Sequence, residues 1–124
     1  MKLTNKQMDE YYFALDKLSE KATGRLGYAV ARNLRKLSEE LVEYQSLKDK
    51  AIEKHGEKGD DGVSRIKIGS DEYKLYLTEM KEYMEIQHDV PIFFVKESDL
   101  MNSDLNAKEM LSIDFMIGKE SEDE

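Results

Sequence analysis

The sequence predicts an α+β fold dominated by helices, with a long antiparallel helical hairpin, a small two-stranded sheet and two further helices. Apolar residues recur every three or four positions over long stretches, which is typical of helices packed on one face. Two short segments rich in β-branched residues lie in the second half of the chain. Leu, Ile, Val and Phe make up 29 of the 124 residues, which is enough for a thin core.

The first predicted helix has a well-marked start. Thr4 and Gln7 have the spacing of a capping box, and Leu3 and Met8 flank them as a hydrophobic staple. An apolar stripe follows, and the Ala22-Thr23-Gly24 segment ends the helix near residue 21.

A second helix is predicted over residues 24–54, because its apolar positions step by three or four along a continuous seam. These positions are Leu26, Val30, Leu34, Leu37, Leu41 and Tyr44. Such a helix would be about 45 Å long, which exceeds what a compact domain of this size needs. We therefore expect part of it to be covered by another subunit in a homo-oligomer.

The second half of the chain predicts shorter elements. A turn over 57–62 precedes a half-buried strand over 63–68, in which Ile66 and Ile68 share the buried face. Ser70 opens a third helix. The segment 90–95 is predicted as a second strand paired with 63–68, and a short helix over 107–117 closes the fold. We expect one domain over 1–118 and a disordered acidic tail over 119–124.

Charge is distributed unevenly along the chain. Residues 1–55 carry a net charge of +2 and residues 56–124 carry −10, so that the whole chain carries −8. Two interpretations of this polarity are open. Either the acidic half folds beside the basic residues and neutralises part of their charge, or the two signs form separate surfaces for partners.

A basic stretch in the second helix is the first candidate binding surface. Arg25, Arg32, Arg35 and Lys36 lie largely off the apolar seam, with Tyr28 close by. Such a face is able to contact phosphates, which makes the chain a candidate nucleic-acid-binding accessory protein. The negative charge of the rest of the chain repels nucleic acid at long range. We therefore consider a nucleic-acid partner unlikely and expect a protein partner instead.

An acidic face on the third helix is the second candidate surface, formed by Glu72, Glu79, Glu82 and Glu85. Spaced carboxylates on a rigid helix are able to occupy a groove that is built for phosphates. Such a surface would make the chain a nucleic-acid mimic that blocks a nuclease, which is the less favoured interpretation. The plainer interpretation is that the acidic surface keeps a small protein soluble.

No pattern of catalytic chemistry is found in the sequence. The chain has no cysteine, no phosphate-binding glycine loop and no nucleophile elbow. Asp60-Asp61-Gly62 begins like a calcium loop, but Ile68 stands where the loop needs Glu. Glu85 and His88 have a metal-site spacing without a second pair, so we interpret His55 and His88 as surface histidines at helix ends. We expect no enzyme activity, no catalytic residue, no metal and no cofactor.

The chain is also expected to lie in the cytoplasm. No apolar run approaches the ~18 residues that a membrane span needs, and the N-terminal segment has no signal-peptide core. We therefore expect neither a membrane association nor secretion.

Several segments of the chain carry a resemblance to a known group of proteins. They are MKLTNKQ (1–7), ALDKL (14–18), RNLRKLSEEL (32–41), IEKHGEK (52–58), DDG (60–62) and DFMI (114–117). The chain resembles a family of small phage and prophage proteins of unassigned function, from phages of low-GC Gram-positive bacteria. The family has no known catalytic or binding residues, so the resemblance implies only a viral protein that acts in a bacterial host.

Three functional hypotheses follow in order of preference. The first is a non-enzymatic phage accessory protein that binds a host or phage protein and forms a homo-oligomer. The second is an acidic inhibitor of a host defence nuclease, such as a CRISPR effector, that acts as a nucleic-acid mimic. The third is a nucleic-acid-binding accessory protein that uses the basic stretch.

Overall fold

The computed structural model describes residues 1–118 and has the helix-dominated α+β fold that the sequence predicts. Its helices are α1 (Asn5–Leu18), α2 (Gly24–Glu40), α3 (Val42–His55), α4 (Asp71–Met84), α5 (Glu97–Met101) and α6 (Ala107–Ser112). Its strands are β1 (Lys2–Thr4), β2 (Glu57–Lys58), β3 (Ser64–Arg65), β4 (Gln87–Asp89), β5 (Val95–Lys96) and β6 (Ile117–Gly118). The predicted acidic tail, 119–124, lies outside the described residues.

The hairpin of α1 and α2 forms where the capping pattern places it. The Gln7 backbone N–H donates to Thr4 Oγ1 at 3.1 Å, and the Thr4 N–H donates to Gln7 Oε1 at 2.9 Å. This reciprocal box starts α1 at Asn5. α1 ends at Leu18 and packs against α2, with buried leucines from both helices in the core.

The predicted single helix over 24–54 is wrong, because the chain is interrupted at Leu41 and continues as α3. Backbone hydrogen bonds bridge the junction, from the Leu41 N–H to Leu37 O at 2.9 Å and from the Gln45 N–H to Leu41 O at 2.8 Å. The two helices on either side of the break have different neighbours, since α2 packs against α1 while α3 packs against α4. The apolar seam runs through Leu41 unchanged, so its spacing gives no sign of the break.

The predicted pairing of 63–68 with 90–95 is also wrong. Within residues 1–118 the strands form three two-stranded sheets: β1 with β4 antiparallel, β2 with β3 antiparallel, and β5 with β6 parallel. Ile68 is 80% exposed, and the strand there covers only Ser64 and Arg65. Each strand is too short for an alternating pattern to identify its partner.

Within the segment 90–95, Phe93 is held by a side chain instead of by a neighbouring strand. Asn33 of α2 is fully buried, and its Nδ2 donates to Phe93 O at 2.9 Å. The Phe93 N–H in turn donates to Asn33 Oδ1 at 2.8 Å. The amide therefore makes the two bonds that a neighbouring strand would make, and it fixes Phe93 beside α2.

The C-terminal part of the described chain returns to the core between α1 and α2. The predicted helix over 107–117 ends early, because α6 stops at Ser112 and a 3₁₀ turn leads into β6. Ile113 and Met116 are fully buried, and Tyr11 of α1 stacks on Phe115 with ring centroids 3.9 Å apart. Buried apolar residues of this turn belong to the same cluster as those of α1, α2 and α4.

Candidate functional site

One exposed face of α2 combines basic and aromatic side chains, and we call it the basic-aromatic face. Steps of three and four residues along a helix place its members on the same side. Its members are Arg25, Tyr28, Arg32, Arg35 and Lys36. The opposite side of α2 is buried in the core, so the face is presented by a helix that is fixed from behind.

Among residues 1–118, the ion pairs of the basic stretch lie at its N-terminal end. Arg25 Nε lies 3.5 Å from Asp99 Oδ2, and Lys21 Nζ lies 2.8 Å from Glu109 Oε1. The hydrogen bond from Lys21 holds the pKa of the Glu109 carboxyl below its ordinary value. The acidic half of the chain thus pairs with part of the basic stretch, which was one of the two interpretations of the charge pattern.

The remaining bases of the face carry free charge. Among the ion pairs of residues 1–118, none within 4.0 Å involves Arg32, Arg35 or Lys36. An arginine guanidinium keeps its proton at any physiological pH. The face is therefore cationic, and Glu39, one turn beyond Arg35, marks its C-terminal limit.

The aromatic ring of Phe93 extends the face beyond α2. Tyr28 is 56% exposed, and its ring meets the ring of Phe93 edge-on with centroids 5.4 Å apart. Phe94, the next residue, is 45% exposed. Asn33 clamps the Phe93 backbone, so the position of Phe93 beside α2 is fixed by two hydrogen bonds.

Three of the four residues of the predicted acidic face lie together, in company with a lysine. Glu79, Glu82 and Glu85 line one shallow depression together with Lys81, whereas Glu72 lies at another groove. Glu79 accepts a hydrogen bond from Lys54 Nζ at 2.8 Å. That bond is the main reason why the pKa of Glu79 is lowered.

The two histidines are more buried than the sequence analysis expects. His55 ends α3 with its Nε2 3.6 Å from Glu79 Oε1, and His88 lies within β4, with Nδ1 3.3 Å from Glu40 Oε2. The expectation of a helix end is therefore wrong for His88. No group of three or more His, Cys, Asp or Glu side chains suited to a metal ion occurs in the part of the chain that the structure describes.

Asn33 and Phe93 are the members of this surface that sequence reasoning missed. Phe93 falls in the segment 90–95, which the sequence predicts as a strand paired with 63–68. Asn33 carried a usable signal, since it is a polar residue on the apolar side of α2, between Val30 and Leu37. A buried amide must find hydrogen-bond partners, so such a residue predicts a backbone segment packed against the helix.

Comparisons of the chain with protein-family models, with curated proteins and with solved structures gave no match. Within residues 1–118, no helix has both the length and the apolar character needed to cross a bilayer.

Proposed function

We propose that this chain is a non-enzymatic protein that works by binding another protein through the basic-aromatic face of α2. The observation that carries the proposal is a pair of arginines, Arg32 and Arg35, that form no ion pair within residues 1–118 and lie beside an exposed tyrosine on a helix anchored in the core. Arg and Tyr are the residue types that contribute most to protein interfaces. Because the helix is already ordered, binding costs little conformational entropy in the backbone.

The partner that fits this surface presents carboxylates around an apolar centre. Arg32 and Arg35 would form charge-assisted hydrogen bonds with the partner's carboxylates, and the exposed ring of Tyr28 would supply apolar contact area beside them. The resemblance to small phage proteins supports a partner in the cytoplasm of a bacterial host, encoded by the host or by the phage. A second copy of the chain is one such partner, since residues 56–124 carry a net charge of −10. The homo-oligomer stays a prediction.

Nucleic-acid binding is the second candidate function, and the position of Tyr28 favours it. An exposed aromatic ring beside arginines is able to stack with an unpaired base while the guanidinium groups contact phosphates. The net charge of −8 opposes this, because it repels a polyanion before the face is reached. The nuclease inhibitor receives less support, because Glu79 is paired with Lys54 and Lys81 lies among the remaining carboxylates.

Affinity capture from a bacterial lysate with three forms of the chain tests the proposal. The forms are the native chain, the double variant Arg32→Glu/Arg35→Glu and the matched control Lys74→Glu/Lys81→Glu. The control makes the same change of charge on the exposed side of α4. We expect a protein that is retained by the native chain and the control and is lost, at least tenfold, from the double variant.

Three other outcomes would contradict the proposal. The first is equal retention of partners by the native chain and the double variant. The second is loss of a partner only from the control, which would favour the acidic side of α4. The third is retardation of a single-stranded oligonucleotide at low salt that the double variant abolishes, without any captured protein. That result would assign the face to nucleic acid.

A further inference from the structure

We propose that a groove between α1, α3 and α4 binds a small uncharged ring compound with a hydrogen-bond donor and acceptor on one edge, such as a nucleoside. The groove has a volume of about 350 Å³, which lies within the range of about 300–1,000 Å³ that is usual for small-molecule sites. It shares no residue with the basic-aromatic face. The proposal is therefore independent of the proposed function.

Apolar and aromatic side chains form the walls of the groove. Ile52 of α3, Ile66 and Leu77 of α4 line it. Two further lining residues, Tyr73 and Tyr76 of α4, stack on each other with ring centroids 6.0 Å apart and ring planes at 19°. Flat aromatic walls favour a flat ligand, because rings gain both from burial and from stacked geometry.

Two buried tyrosines of the groove have hydroxyl groups without a protein partner. Tyr44 of α3 is 4% exposed and Tyr76 is 6% exposed. Among the hydrogen bonds of residues 1–118, none involves either hydroxyl. Neither oxygen belongs to the described polar atoms that are shut off from solvent, so both open toward the groove that their side chains line. Buried polar groups normally have a hydrogen-bond partner, and a ligand in the groove would supply it.

Both hydroxyls keep their protons at physiological pH. Burial, followed by the Asp9 carboxylate and Tyr76, raises the pKa of Tyr44 to about 12. Burial also raises the pKa of Tyr76, against a smaller opposite effect of Lys48. A protonated tyrosine hydroxyl both donates and accepts a hydrogen bond. The two together match a ligand edge on which a donor lies next to an acceptor.

The ionic charges of the groove cancel. Asp9 of α1 accepts hydrogen bonds from Lys48 Nζ at 2.7 Å and from Gln45 Nε2 at 2.8 Å. Lys6 and Glu10 add one charge of each sign to the lining. A charged ligand would lose its hydration here without meeting a net opposite charge. The groove therefore favours an uncharged ligand over an ion.

A methyl NMR titration of the intact chain with adenosine, and separately with thymidine, tests the site. We expect binding in the millimolar range or tighter by at least one of them, with shifts at the methyl groups of Ile52, Ile66 and Leu77. Leu111 is 75% exposed and does not line the groove, so its methyl groups report nonspecific contact and should stay unchanged.

The single variants Tyr44→Phe and Tyr76→Phe keep the rings and remove the hydroxyls. Each should weaken the binding about fivefold, as the loss of one hydrogen bond does. The matched control Tyr28→Phe, which changes an exposed tyrosine outside the groove, should bind as the native chain does.

Four results would overturn the proposal. They are the absence of shifts with both nucleosides, equal shifts at Leu111, unchanged affinity in both groove variants, and at least tenfold tighter binding of adenosine monophosphate than of adenosine. The last result would show that the site selects an anion. If the groove variants do not fold, the positions of the shifts in the native chain decide.

Discussion

At the scale of single residues, Asn33 connects the fold to the candidate site. Its side chain is fully buried, and both of its polar ends bond the Phe93 backbone. Nothing in the apolar spacing of α2 identifies which segment it binds, because the partner lies 60 residues away in the chain. The sequence therefore shows that Asn33 is unusual but does not show what it holds.

Replacing Asn33 by Ala should destabilise the protein by about 2 to 4 kcal/mol. The change removes two hydrogen bonds and leaves the partly buried Phe93 N–H and C=O without partners, each at a cost of about 1–3 kcal/mol. Urea denaturation measures the free energy of unfolding, and the exposed substitution Ser38→Ala is the control. A loss below about 0.5 kcal/mol, as is usual at surface positions, would show that the clamp does not stabilise the fold.

Tyr44 makes the stability of the folded protein fall at alkaline pH. Burial, followed by the nearby Asp9 carboxylate and Tyr76, raises the pKa of the Tyr44 hydroxyl from 10.0 to about 12. The unfolded chain therefore releases this proton near pH 10.0, and the folded chain holds it to about 12. The contribution of this proton to the free energy of unfolding is fully present below the unfolded-state pKa of 10.0. It is lost as the pH rises to the folded-state pKa of about 12.

Tyr44→Phe should reduce the loss of stability over this alkaline interval, because it removes the linked proton. Unfolding midpoints in urea, measured below pH 10.0 and again towards 12, give the loss. The control variant Tyr28→Phe changes an exposed tyrosine. When the pH is raised over the same interval, it should lose as much stability as the native protein loses. An equal loss in the Tyr44 variant would show that burial of this hydroxyl does not govern the alkaline limit.

At the scale of elements, helix starts were predictable and strand partners were not. The capping pair of Thr4 and Gln7 marks the start of α1 as the sequence indicates, and Asn106 and Glu109 form the same reciprocal box at the start of α6. These signals are local, since donor and acceptor are three residues apart. The strands have two or three residues each, and β1 pairs with β4 across 80 intervening positions or more. Local pattern does not encode such a pairing.

Gly27 shows where packing overrides helix propensity. A glycine in a helix interior is usually about 1 kcal/mol less favourable than alanine. Here a Cβ would lie 2.7 Å from the backbone oxygen of Ala22, which is closer than real Cβ contacts allow. The connection from α1 to α2 therefore needs glycine at this position.

Gly27→Ala should destabilise the protein by about 1–3 kcal/mol, as overpacked sites do. The reverse change at an exposed position of the same helix, Ala31→Gly, should cost ~1 kcal/mol from propensity alone. Thermal and urea unfolding of both variants test the prediction. A stabilised Gly27→Ala variant would mean that the turn before α2 adjusts freely.

At the scale of the whole molecule, the fold determines which charged side chains form ion pairs with each other among residues 1–118. Lys21 and Lys54 each bond a carboxylate that lies far away in the sequence, in Glu109 and Glu79. Such exposed pairs contribute little to stability. Among residues 1–118, the basic residues of α2 that remain outside these ion pairs are Arg32, Arg35 and Lys36. Composition predicts the polarity of the chain, and only the folded positions show which charges remain free.

Hydrogen exchange of the chain, alone and saturated with the captured partner, tests the central claim most directly. The claim is that the basic-aromatic face of α2 is the interface. It predicts additional slowing of exchange over 25–36 and at Phe93 and Phe94, with 71–84 unchanged. Slowing confined to 71–84, the helix that carries Glu72, Glu79 and Glu82, would contradict it.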